Sequence, residues 1–239
     1  MLRKSDGYFC PEPKFEIAEV FESVEREIEA AESKSADFTK RTPPCDSVAF
    51  GLANANIKKG DKVLEIGTGT GYITCLLSRL VGPEGKAISI EIHMPTFELA
   101  RKNINLIGLK NVTLINGDGS DGFTTEAPFD AIWVDAGIIL PTAEKIGKQL
   151  KEGSRIFSFL HTMDYSGTIL WGSIDEKKGG ALKVVRRCSG MVMPYLKCPE
   201  NEEFLVKIRA KIKTEREAHG KWWNGLSKEQ KRKELRKCI

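Results

Sequence analysis

The 239-residue sequence has no apolar run near the length needed to span a bilayer, so it contains no candidate transmembrane helix. Its first residues, Met1-Leu2-Arg3-Lys4-Ser5-Asp6, lack an apolar signal core, and the expectation is a protein that stays in the cytoplasm. Histidine is scarce: His93, His161 and His219 stand far apart. The six cysteines (10, 45, 75, 188, 198 and 238) form no CxxC pair and no cluster with those histidines, so no metal site is expected. Without a secretory context they read as reduced thiols, most of them packing residues. Internal repeats and low-complexity linkers are absent as well. What remains, 41% hydrophobic and 29% charged residues, is the composition of an ordinary globular domain.

Charge is unevenly spread. The net charge of +4 divides into +8 from Lys207 to Ile239 and −4 in the residues before it. A mildly acidic body with a basic tail can use that tail on an acidic partner or a nucleic acid.

Periodicity supplies the elements. Ile17, Val20, Phe21, Val24, Ile28 and Ala31 form a helical stripe beginning near Pro13. The paired prolines of Lys40-Arg41-Thr42-Pro43-Pro44-Cys45 break regular structure before a helix over 47–56. Strands are expected at 62–66, 86–91, 112–115, 129–134 and 154–160, with helices over 71–81, 95–107 and 141–150 between them. Such alternation at short intervals implies parallel pairing and a doubly wound α/β sheet. Two later segments, Ala181 to Arg187 and Phe204 to Ile212, read as extended, the second with the clean alternation of an antiparallel strand. The expected division is a helical segment 1–39, a main domain 40–213 and a basic tail 214–239.

The most informative stretch is Val63-Leu64-Glu65-Ile66-Gly67-Thr68-Gly69-Thr70-Gly71-Tyr72, a buried strand running into three glycines and then a helical pattern. Twenty residues after Gly71 the next strand ends in Glu91, followed by Ile92. Glycines at that turn let a ligand approach the backbone, and an acid at the tip of the second strand can accept both ribose hydroxyls. Gly-x-Gly-x-Gly differs from the dinucleotide spacing Gly-x-Gly-x-x-Gly, and Glu65 beside the first glycine would repel a phosphate while attracting a cation. That combination suits S-adenosylmethionine, which has a sulfonium, an amino acid and a ribose but no phosphate. The third strand ends at Asp118-Gly119-Ser120, where Asp118 can accept from an adenine amino group, and the fourth ends at Asp135-Ala136-Gly137. Methyl transfer from a sulfonium is mainly a matter of positioning. An amine or alcohol acceptor needs a base, whereas a carboxylate needs none. Asp135-Ala136-Gly137-Ile138 is not the Asn/Asp-Pro-Pro-aromatic tetrad of amino-methylating enzymes, which favours an acceptor that is already nucleophilic.

The sequence resembles the protein-L-isoaspartate (D-aspartate) O-methyltransferases. The likeness rests on the glycine stretch, on Gly117-Asp118-Gly119-Ser120-Asp121-Gly122, on Ala127-Pro128-Phe129-Asp130-Ala131-Ile132, on Ala136-Gly137, on Gln149-Leu150-Lys151-Glu152-Gly153, and on Met191-Val192-Met193-Pro194-Tyr195-Leu196. It implies a Rossmann-like class I methyltransferase fold and transfer to the free carboxylate of an isoaspartyl residue. It also implies cofactor contacts from Glu65, Gly67, Thr68, Gly69, Gly71, Glu91, Ile92, Asp118, Gly119, Ser120 and Asp135. The family's Thr-Ile-Ser-x-Pro segment has its best counterpart in Lys40-Arg41-Thr42-Pro43-Pro44-Cys45, where Thr42 keeps a hydroxyl in the serine's place and becomes the catalytic candidate. Two other readings stand beside this one. The first is an RNA methyltransferase of the transfer-RNA adenine type, using the basic tail and Asp135. The second is a catalytically weak adaptor that binds cofactor and recognises modified peptides.

Overall fold

Val63-Leu64-Glu65-Ile66 and Ala87-Ile88-Ser89-Ile90 are buried throughout, as strands covered on both faces must be. Around them the chain runs α1 (Phe15–Glu32), α2 (Cys45–Asn54), β1 (Lys62–Ile66), α3 (Tyr72–Val81), β2 (Lys86–Glu91), α4 (Met94–Ile107) and β3 (Val112–Asn116). It continues through a 3-10 turn at Thr124–Glu126 to β4 (Phe129–Ile138), α5 (Leu140–Gly147), β5 (Leu150–His161), β6 (Leu170–Lys178) and β7 (Ala181–Met191). This computed structural model describes residues 15–39, 45–161 and 170–191, together with Pro199, Glu202, Glu203 and Val206.

The seven strands form one sheet in the order β3-β2-β1-β4-β5-β6-β7, parallel from β3 to β5, with β6 antiparallel to both of its neighbours. The expected doubly wound, mostly parallel sheet with an antiparallel C-terminal portion is therefore observed. The chain lays β2 and β3 to one side of β1 and then returns to place β4 on the other. That reversal leaves a crevice above the carboxyl ends of β1 and β4, the position where open α/β sheets bind ligands.

Two cores flank the sheet. On one face Val63, Ala87, Ala131, Trp133 and Phe157 meet helices α1 to α4. On the other Leu64, Ile66, Ile88, Ile132 and Ile156 meet Ala143 and Ile146 of α5. Helix α1 buries Ile17, Val24 and Ile28 in the first core. Its acids also grip α3: Glu25 accepts from the Tyr72 hydroxyl at 2.9 Å, and Glu27 takes both Nε and Nη2 of Arg79. The chain divides into compact units 1–197 and 198–239.

Strand β6 was not anticipated. Its consecutive positions Gly172, Ser173, Ile174 and Asp175 are all buried and only Ile174 is a large apolar residue, which hides the alternation that usually betrays a strand, and Ser173 donates to Asp175 at 2.7 Å. The strand expected over Phe204 to Ile212 fails at its one described position: Val206 is helical and 67% exposed. The remainder of that segment and the basic tail 214–239 lie outside the described residues.

Trp133, 2% exposed, is the largest wholly buried side chain among the described residues, and its ring packs at a tilt on Phe157 with a centroid distance of 4.1 Å. Gly51 of α2 lies directly over it, and a Cβ there would come within 2.5 Å of Trp133 Cη2. Gly51→Ala is expected to lower the unfolding free energy by about 1–3 kcal/mol through overpacking. Urea denaturation measures this, and an unchanged midpoint would show that α2 can lift off the ring freely.

Candidate functional site

At the end of β1 the chain turns through Gly67 (φ +96°) and Gly69 (φ +55°) before α3 begins. Gly67 lies against β4: a Cβ there would sit 3.1 Å from the Asp135 carbonyl oxygen and 3.4 Å from its Cβ. Positive φ and close approach together require glycine. Gly69 has the opposite surroundings, with nothing within 4 Å of where a Cβ would be, so the crest of the turn is open. Gly71 is buried against Ala100 and Ile104 of α4 and acts in packing the turn.

Glu91, at the tip of β2, is buried and stitches the turn to its own strand. Its Oε2 accepts from the Gly69 amide at 3.0 Å and its Oε1 from the His93 amide at 2.9 Å. A carboxylate offers about four acceptor positions, so Glu91 retains capacity on both oxygens for a ligand's hydroxyls. Ile92 beside it is 45% exposed, an apolar surface at the crevice edge.

Below the turn, Thr68 faces inward, its hydroxyl 2.6 Å from that of Ser89. The Thr74 hydroxyl donates to Glu65 Oε2. Among the described residues Glu65 Oε1 has no partner, and neither has Asp135 Oδ1, although both atoms are shielded from solvent. Such orphaned acceptors are rare in folded proteins and mark a place where a donor or a cation belongs. Asp135 owes its position to an irregularity in β4. Val134 pairs with Ser158 and Gly137 with Phe159, so Asp135 and Ala136 bulge out between them at the switch point.

Burial raises both acids. Loss of water pushes Glu65 up to about 8, against the pull of hydrogen bonds from Thr74 and Ser89, with the Glu91 charge adding to the rise. Asp135 is raised well above the ordinary aspartate range by burial first and then by the charges of Glu65 and Glu91.

The end of β3 forms the outer part of the crevice. Asp118 is exposed, and its Oδ1 accepts from the Ser120 amide at 2.8 Å. Gly119 is pressed onto Ile66, where a Cβ would approach Cγ2 to 2.7 Å. The structure thus brings Glu65, Gly67, Gly69, Glu91 and Asp135 to one turn, with Ile92 and Asp118 to Ser120 flanking it on the β2 and β3 side. Thr42 lies outside the described residues.

Two residues escaped the sequence reading as supports of the site. Asn103, fully buried, donates to the carbonyls of Asp37 and Thr70 and accepts from the Asp37 amide, fastening the segment after α1 to the glycine turn. Gln149 donates to Asp121 O and accepts from the Phe123 amide, holding the loop that bears Asp118 to the start of β5. A polar residue on the apolar stripe of a helix was the signal available for Asn103.

The sign of the pH effect follows from the raised Glu65. The folded chain keeps a proton that the unfolded chain releases near 4.5, so this contribution is full below that pH and is lost as pH rises through about 8. Stability of the ligand-free protein should fall by about 1 kcal/mol per pH unit for each such group across this window. Denaturation at a series of pH values measures it. Glu65→Gln should flatten the slope, and an equally steep slope in the variant would show that Glu65 does not titrate there.

Comparison with known proteins agrees with this geometry. The family model for protein-L-isoaspartate (D-aspartate) O-methyltransferase (PCMT) matches residues 14–168. A protein-L-isoaspartate O-methyltransferase of Ignicoccus hospitalis is 38% identical over 159 residues, covering 62% of this chain and 74% of that protein. One from Methanothermobacter thermautotrophicus is 40% identical over 102 residues, covering 42% of this chain but only 46% of its own length. Among solved structures, one named protein-L-isoaspartate O-methyltransferase superposes with a TM-score of 0.59 at 23% identity, over 76% of this chain and 66% of that one. A Plasmodium falciparum structure in complex with S-adenosyl-L-homocysteine gives 0.54 at 18% identity, over 67% and 78%. These two likenesses establish the shared Rossmann-like fold. With the family model covering well over half of its length, the chain belongs to the protein-L-isoaspartate (D-aspartate) O-methyltransferase family.

Proposed function

We propose that this protein transfers the methyl group of S-adenosylmethionine to the free carboxylate of an isoaspartyl residue in a peptide or protein. Family membership supports the acceptor. The observation that carries the cofactor is the pair of shielded carboxyl oxygens, Glu65 Oε1 and Asp135 Oδ1, that have no partner among the described residues and lie on the adjacent strands β1 and β4. A site so rich in acid suits a cationic nucleoside and is hostile to a phosphorylated one. Glu91 has the spare acceptor capacity a ribose diol needs, and Ile92 with the Asp118-Gly119-Ser120 loop provides an apolar surface and a polar edge for a base.

When bound, S-adenosylmethionine supplies a methyl group already activated by the positive charge on sulfur. The protein's own part is placement. Glu91 and the glycine turn hold one end of the reagent, while Asn103 and Gln149 hold the two loops that border it. An isoaspartyl carboxylate is ionised at neutral pH, so no general base is required for this acceptor. Thr42 is proposed as the hydroxyl that orients the acceptor carboxylate; this assignment rests on the sequence resemblance alone. A cytoplasmic location belongs to the same proposal, supported by the unpaired, buried Cys75 thiol. Among the described residues no helix is long and apolar enough to cross a membrane.

The test is transfer of labelled methyl to a synthetic isoaspartyl peptide, with the aspartyl isomer and unmodified transfer RNA as parallel acceptors. Label on the isoaspartyl peptide alone is the expected result; label on RNA would replace this reading, and binding without turnover would leave only an adaptor. Two variants separate the roles. Glu91→Gln should weaken cofactor binding about tenfold to a hundredfold, the scale of hydrogen bonds to a charged group. Thr42→Ala should slow peptide turnover about tenfold while cofactor affinity holds. Unchanged turnover would remove Thr42 from the site.

A further inference from the structure

We propose that Asp135 reads the charge of the bound nucleoside: it ionises against a sulfonium and takes a proton back once transfer leaves a neutral thioether, so the site favours reagent over product. This deepens the proposed function and rests on it for the identity of the nucleoside.

Three observations place Asp135 in that role. The sheet order sets the strand ends in series, with Asp118 after β3, Glu91 at the end of β2, Gly67 after β1 and Asp135 in β4. If Glu91 takes the ribose and the Asp118 loop the base, the far end of the nucleoside, where sulfur lies, falls toward β4. The two-residue bulge between Val134 and Gly137 then brings Asp135 to the crevice beside Gly67 instead of leaving it in the ladder. Finally, Asp135 Oδ1 is shielded from solvent and has no hydrogen-bond partner among the described residues, so that oxygen is left for a group from outside them.

The charged groups facing Asp135 are all acids: Glu65 from β1 and Glu91 from β2. On its β5 side the register brings Ser158 and Phe159, neither of them charged. No Lys, Arg or His among the described residues acts on it. Surrounded in this way, the carboxyl is raised well above the ordinary aspartate range in the free protein, by burial first and by like charge second. A sulfonium reverses the balance, because an opposite charge nearby favours the ionised form. The proton passes to solvent on binding. On transfer, the acceptor carboxylate oxygen supplies the electron pair for the new C–O bond, and the pair of the broken C–S bond stays on sulfur. The sulfonium charge has then vanished from the site, leaving only the amino-acid charges that both ligands share, and Asp135 recovers a proton from solvent. Affinity for the sulfonium should therefore rise with pH through the free-state titration of Asp135, while affinity for the thioether stays level.

Isothermal titration calorimetry of the full chain in two buffers of different ionisation enthalpy reads this directly. The probes are S-adenosylmethionine, S-adenosylhomocysteine and an analogue with an ammonium in place of the sulfonium. Both cations are expected to bind with net proton release, and the thioether with none. Asp135→Asn should abolish the release, weaken cation binding about tenfold and leave thioether binding within about twofold, the retained thioether affinity also reporting an intact fold. Equal proton release for all three ligands, or release unchanged in Asp135→Asn, would overturn the proposal while leaving the methyltransferase reading in place. Should the variant fail to fold, the comparison of cation with thioether in the unaltered protein decides the matter. Failure of every ligand to bind would overturn both readings together.

Discussion

Negative charge with nothing to neutralise it is the constraint around which this site is organised. Glu65, Glu91 and Asp135 converge at the point where β1 and β4 part, in surroundings that water scarcely reaches. Three ionised carboxyls in such a place would repel one another strongly. The protein manages this in two ways. Glu91 is bound by the amides of Gly69 and His93, whereas burial raises Glu65 and Asp135 above the ordinary carboxylate range. The arrangement stores a demand for positive charge that a cationic ligand can meet.

That demand has to be held in place against its tendency to relax, and the polar residues beneath the turn serve this end. Thr68, Ser89 and Thr74 form a buried hydroxyl chain ending on one oxygen of Glu65, leaving the other to the site. Asn103 and Gln149 do for the two bordering segments what a loop's own backbone cannot, since each saturates main-chain groups on strands of chain distant in sequence. None of these side chains is needed to form a doubly wound sheet. Apolar residues there would pack as well, but they would leave the turn and its acids unsupported.

Much of this was legible because the central strands and helices announce themselves through local pattern. Val63 to Gly71 spells a buried strand, a turn that only glycine can make and a helix start, and each observed boundary falls within a few residues of the reading. Glu91 was legible for the same reason, as an acid closing a short apolar run. Strand β6 was not, since its buried Ser173 and Asp175 answer to neighbouring strands and to each other instead of to a repeating apolar face. The bulge at Asp135 was equally hidden. It is a mismatch between β4 and β5, and mismatch is a property of a pair that neither strand's sequence displays alone.

The bulge also bears on how a family fold acquires a particular character. Had β4 continued its pairing with β5 through residue 135, the Asp135 carboxyl would have been committed to one face of the sheet, and a charged group so placed would be ejected by selection or neutralised by a partner. Two extra residues remove it from the ladder at the one place where the sheet already opens into a crevice. The same shift of register therefore takes Asp135 out of the β4–β5 ladder beside the glycine turn. A glycine at 67 is the complement of that solution, because the turn can close over β4 only if nothing projects from it toward Asp135. Turn, bulge and acid are thus a single device: removing the close approach at Gly67 would move the acid, and straightening β4 would take the acid away from the turn.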